Sequence, residues 1–153
     1  MQPSYVSVAF AFLHFAAVFG VFATVFLEWQ TMSRAPTFAE ARRIQVCDAW
    51  YGISAGAVLV VGFLRVYYFE KGPAFYFASP FFHAKMTLFI LAGLLSIYPT
   101  IRFLKWRAQT RQGQAPVVAD GEYKWIMVIL RAELVLLLGV ALCASLMARG
   151  VGL

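Results

Sequence analysis

The chain has 153 residues, 62% of them hydrophobic and only 13% charged, with a mean hydropathy of +0.75. A soluble globular domain is roughly half apolar. This composition excludes one and describes a single membrane-embedded domain with little chain outside the bilayer. The net charge of +6 is not a nucleic-acid signature. The basic residues lie at segment ends and in two connections, where membrane topology places them.

Four segments carry the roughly 20 mainly apolar residues that a spanning helix needs. They cover about 5–28, 48–68, 80–103 and 123–148. All are continuous apolar runs without strand alternation, which excludes a β-barrel. The first is long enough to span and has no basic leading region, so it reads as a span and not as a cleaved leader. In the first connection, Thr37-Phe38-Ala39-Glu40 has the form of a capping box, with Arg42 and Arg43 behind it. It predicts a short amphipathic helix at the interface that can run on into the second span.

The second span contains Gly52-Ile53-Ser54-Ala55-Gly56, and the fourth contains Gly139, Ala141, Cys143, Ala144 and Ser145. Small residues let helix backbones approach, inside a bundle or between the protomers of a homodimer. The next connection, with Gly72, Pro73, Phe75, Tyr76 and Phe77, reads as an aromatic lid at the interface. Ser79 and Pro80 fit the N-cap and first position of the third span. Asp120 is the candidate N-cap of the fourth. The expected fold is all-α: an integral-membrane four-helix up-down-up-down bundle, one domain, with a short interfacial helix between spans 1 and 2.

Orientation follows from the basic residues. The first and third connections and their flanks hold Arg34, Arg42, Arg43, Arg102, Lys105, Arg107, Arg111 and Lys124. The positive-inside rule then places both termini on the non-cytoplasmic side of a bacterial inner membrane. Cys47 and Cys143 fall near opposite faces, so no disulfide joins them. No CxxCH occurs, which excludes the usual covalent haem attachment.

Ionisable side chains inside spans need a reason to be there. At about 1.5 Å per residue, His14, His83 and Met86 lie roughly nine, three and six residues from the outer face. Arg65 and Lys85 fall in the same half. His83 and Met86 share a helical face, and Lys85 points elsewhere. Two imidazoles, or an imidazole and a thioether, on different helices suit the axial positions of haem iron. The neighbouring cations suit its propionates. The bland alternative is helix-to-helix hydrogen bonding by His14, a wet His83 and Met86 as filler. The inner half holds Glu28, Asp48, Arg131 and Glu133. Arg131 is at a depth where Asp48 or Glu28 can neutralise it. Glu133 has no obvious cation, and it serves either to relay protons or position a substrate, or as a structural hydrogen bond.

Several motifs together resemble an uncharacterised family of four-span bacterial membrane proteins. They are Phe12-Leu13-His14-Phe15, the Gly-rich Tyr51–Arg65, Glu70-Lys71-Gly72, Pro80-Phe81-Phe82-His83-Ala84-Lys85-Met86 and Arg131-Ala132-Glu133-Leu134. More distantly, the pattern is similar to the superfamily of the haem-containing membrane protoporphyrinogen oxidase and the copper-resistance D proteins. The shared features are Leu13-His14 in the first span, His83-Ala84-Lys85-Met86 opening the third, and an Arg shortly before a Glu in the fourth. That resemblance implies haem b with His14 as leading ligand. The chain departs from it at Ser96-Ile97-Tyr98-Pro99, where the oxidase has a further histidine, and it has no Asn before Glu133.

The leading expectation is therefore a haem b-binding inner-membrane protein of oxidoreductase or electron-transfer type. His14, with His83 or Met86, would hold the metal. Arg65 and Lys85 would hold propionates, and Lys85, Arg131 and Glu133 would serve a porphyrin or quinone-like molecule. The rivals are a protoporphyrinogen oxidase-like enzyme, a non-catalytic scaffold or assembly factor, and a copper-handling membrane protein.

Overall fold

In the computed structural model, which describes residues 5–150, α1 (Tyr5–Thr31) and α2 (Phe38–Leu64) form one antiparallel pair. A π-helical turn (Arg65–Phe69) and the short α3 (Pro73–Ala78) lead into α4 (Pro80–Thr110) and α5 (Asp120–Ala148), the second pair. The described residues contain no strand. α1 packs on α2 and α5, and α4 on α2 and α5. The cyclic order is α1–α2–α4–α5, with α1 diagonal to α4 and α2 diagonal to α5. This is the expected up-down-up-down bundle. The four long helices have 27, 27, 31 and 29 residues. At about 1.5 Å per residue each exceeds a hydrocarbon core of about 30 Å.

The capping box is present. The Thr37 N–H donates to Glu40 Oε2 at 2.7 Å, and the Glu40 N–H donates to Thr37 Oγ1 at 3.2 Å. The helix it opens does not stop at the interface but runs unbroken into the second span. Two cap expectations shift. Ser79 holds the N-cap position of α4, but its hydroxyl makes no cap bond. Ala119, not Asp120, caps α5. Asp120 is drawn one place into the helix, where it accepts a hydrogen bond from Arg34 at 2.9 Å.

The glycines that bring helices together are Gly20, Gly62 and Gly139. A Cβ at Gly20 would strike the Ser54 side chain, at Gly62 it would lie 3.1 Å from His14 Cε1, and at Gly139 3.0 Å from Leu88. Gly52 and Gly56 face open space. Of the two uses weighed for that GxxxG, packing inside the bundle is not the one seen.

The core lies toward one end. Val21, Val25, Ile44, Phe103, Trp106, Ile126 and Leu130 pack there with almost no exposure. This is the basic end, bounded by the connections 32–37 and 111–119. At the termini end, beyond the level of Ala92 and Leu137, the buried side chains among the described residues are Val66, Ser79 and Phe82. The bundle is closed at its basic end and loosely packed at the other.

Candidate functional site

The closed half contains three carboxyl groups, each from a different helix. Glu28 of α1 is 3% exposed and Glu133 of α5 is 1% exposed. Asp48 of α2 is half-buried. Asp48 lies within electrostatic range of both glutamates, and the two glutamates of each other. α4 supplies hydroxyls. Thr100 donates to Asp48 Oδ1 at 2.6 Å. Ser96, whose hydroxyl donates to the Gly93 carbonyl at 2.7 Å, lies within hydrogen-bonding reach of the buried Tyr51, and Tyr51 is within electrostatic range of all three acids. All four long helices therefore contribute polar side chains to the same half of the bundle interior.

Among the described residues no basic side chain is ion-paired to these acids, although Arg107 of α4 lies within electrostatic range of Asp48. The ion pairs among the described residues are Arg34–Asp120, Arg65–Glu70 and Arg102–Glu122. None involves the three acids. Oε1 of Glu28 and Oε1 of Glu133 are buried and make no hydrogen bond. An uncompensated polar atom in an apolar interior is costly and calls for an explanation. A charged Glu28 or Glu133 would have neither a hydrogen bond to Oε1 nor a paired cation, whereas Asp48 has the Thr100 hydroxyl. A neutral, protonated carboxyl needs no counter-charge there.

A polar cover closes the centre on the basic side. Gln45 donates to the Phe103 carbonyl at 3.1 Å and accepts from Thr110 at 3.2 Å. Trp106 Nε1 donates to Glu122 Oε1 at 3.2 Å, and Arg102 pairs with the other Glu122 oxygen. Arg102 Nε stays buried without a partner, and none of these bonds reaches Glu28, Asp48 or Glu133. Pro99 sits inside α4 between Ser96 and Thr100. It removes one backbone donor, and neighbouring helices make that tolerable at membrane depth.

Arg131 is exposed on the outside of α5. Among the described residues no carboxylate pairs with it, so the expected neutralisation by Asp48 or Glu28 is not made. It is two positions from Glu133. Two helical steps turn a side chain by about 200°, which puts Glu133 in the core and Arg131 on the periphery.

At the termini end, His14 is half-buried against Gly62 and the Val58 backbone, and its Nδ1 is buried without a hydrogen bond. Arg65 and Lys85 are its nearby cations, as the depth estimates anticipate. Arg65 is tied to Glu70 at 2.5 Å, and its guanidinium lies 5.8 Å from the Phe15 ring centre. Lys85 Nζ sits 5.2 Å over Phe82. His83 is placed differently. It is exposed, and its Nε2 lies 2.9 Å from the Phe77 carbonyl of α3. It is thus engaged with the aromatic connection, away from the His14 cluster. Met86 is half-buried on the same helix. Tyr76 donates to Glu70 at 3.2 Å and fastens α3 to the π-turn. Burial, then the Glu70 charge, pushes its phenol up to about 12. Cys47 and Cys143 are both free thiols.

Tyr51, Ser96 and Thr100 were not singled out by sequence. Their signal was present: Tyr51 stands one turn after Asp48, and Ser96 and Thr100 are one turn apart around a proline.

Four apolar helices long enough to cross a membrane, closed around an unpaired carboxyl centre, define a multi-pass membrane protein with an ionisable interior. Over residues 6–152 the chain matches the family model described as "Predicted membrane protein (DUF2214)", and it belongs to that family. No curated protein matches the chain, and no solved structure does.

Proposed function

We propose that this is a proton-exchanging membrane protein, with Glu28, Asp48 and Glu133 as the groups that take up and release the proton. One observation carries the reading: two almost fully buried carboxyls, from α1 and α5, each present an oxygen with no partner. Among the described residues no three His, Cys, Asp or Glu side chains converge closely enough to hold a metal ion, so the donor geometry favours the proton over a metal. Asp48 is half-buried and bonded to the Thr100 hydroxyl. As the most exposed of the three and within range of Arg107, it would be the member that exchanges with the basic end, and Tyr51 lies within electrostatic range of both glutamates. The proton would pass from Asp48 to Glu133 or Glu28, converting carboxylate to carboxyl, and return by the same route. With the positive-inside rule, the basic end faces the cytoplasm of a bacterial inner membrane.

The test is proton uptake after a pH jump, read with an indicator dye on protein in lipid nanodiscs. Glu133→Gln should take up about one proton fewer than the unsubstituted protein. Equal uptake by both would contradict the proposal.

A second reading, haem b binding for electron transfer, is favoured by the orphaned Nδ1 of His14 between Arg65 and Lys85. His14 would hold the haem iron and Lys85 a propionate; Arg65 would reach the other propionate only by leaving Glu70, and His83 is already engaged with the Phe77 carbonyl. When bound, haem would supply one-electron chemistry. A reduced-minus-oxidised spectrum of protein from haem-replete cells should then show b-type bands that His14→Ala abolishes. A flat spectrum ends this reading and leaves the carboxyl centre untouched.

A further inference from the structure

α1 and α5 leave a shallow groove of about 410 Å³ on the outside of the bundle. Its walls are Phe19, Phe22, Ala23, Phe26, Leu134 and Leu138, with no polar surface among them. Such a trough alone is ordinary lipid-facing surface. Its basic-side end is not ordinary. Arg131 lies one helical turn from Leu134 and two from Leu138, so it shares their face of α5. It is exposed, and no carboxylate among the described residues pairs with it. It is seven residues, or about 10 Å, deeper than Lys124. A lipid-exposed guanidinium at that depth needs an anion that comes to it, or must reach toward the headgroups.

We infer that this face of α1 and α5 binds an anionic phospholipid from the leaflet on the basic side, with Arg131 on its phosphate and an acyl chain along the groove. The order of parts matches such a lipid. From the basic end toward the middle of the bilayer, one meets Lys124, then Arg131, then Leu134 and Leu138, with Phe26, Phe22 and Phe19 alongside. A phospholipid in that leaflet presents its phosphate first and its chains after. The planar fork of an arginine suits a phosphate with two parallel hydrogen bonds. A second copy of this chain is a poorer occupant. The membrane-embedded acids Glu28 and Glu133 are buried and Asp48 is turned to Thr100, so a copy offers no carboxylate to Arg131.

The test uses the full chain in mild detergent, exchanged into phosphatidylglycerol or phosphatidylcholine and measured by native mass spectrometry. Bound phosphatidylglycerol should exceed phosphatidylcholine by about fivefold, the worth of one well-placed cation near a charged lipid. Arg131→Gln should bring the ratio close to one, and Arg131→Lys should restore most of it. Leu134→Trp, which fills the groove and keeps the charge, should reduce retention of both lipids. Circular dichroism would confirm that each variant is folded. No preference in the unsubstituted protein, or an unchanged preference in Arg131→Gln, would overturn the inference. So would an Arg131→Gln variant that loses a dimer and keeps its lipid ratio.

Discussion

Glu133 carries an oxygen that nothing satisfies, and its environment sets what its replacement does. Gln keeps the shape and removes the need to hold a proton. Replacing a poorly satisfied buried ionisable group by a neutral one of the same size is often neutral or stabilising. Glu133→Gln should therefore unfold in detergent at the same temperature as the parent or higher. A marked fall would mean that the carboxyl is a structural tie between helices. Tyr76 makes an independent case outside the spans. Its phenol should ionise near about 12, against an ordinary value of 10, read as the absorbance difference between the parent and Tyr76→Phe. Glu70→Gln should lower that midpoint only part of the way, because burial is the larger cause. The contribution of the Tyr76–Glu70 tie is present in full below pH 10 and is lost as pH rises through about 12.

Among the elements, the α1–α2 pair depends on close approach at Gly20. Gly20→Ala brings a methyl group against Ser54, whose hydroxyl can turn away while its Cβ stays tight, and should cost about 1 kcal/mol in reversible unfolding, the low end for overpacking once the helix propensity of Ala offsets part of it. Adding Ser54→Ala removes one obstacle and should recover part of the loss, a coupling that a double-mutant cycle measures. Additive losses would show that the two residues do not meet. The helices themselves were legible in sequence because lipid demands long uninterrupted apolar runs, and the capping box at Thr37 was legible as a local pattern. The packing glycines were legible only in part, since Gly139 was named for close approach and does pack on Leu88. Gly52 and Gly56 advertise a motif yet face outward, while isolated Gly20 and Gly62 make the contacts. Rotation about the helix axis decides this, and in a span apolar on every side the sequence carries little trace of it. The short α3 was hidden for another reason: six residues are too few to display a period, so the His83 bond to Phe77 could not be anticipated.

At the scale of the whole molecule, the bundle divides into a tight basic half that encloses three acids and a looser termini half that carries His14, Arg65 and Lys85. Depth along each helix was readable from residue counts, and it correctly sorted these two groups. Direction around each helix was not, which is why Arg131 was expected beside Asp48 and stands on the outside. The central claim is that the enclosed acids exchange protons. Infrared titration of the protein in nanodiscs tests it most directly, because a protonated carboxyl has its own carbonyl band. Proton exchange should give a band that rises and falls reversibly with pH, weakens in Glu28→Gln, and weakens again in the double variant with Glu133→Gln. A carbonyl region that stays constant across the accessible pH range, or one that these substitutions leave unchanged, would contradict it.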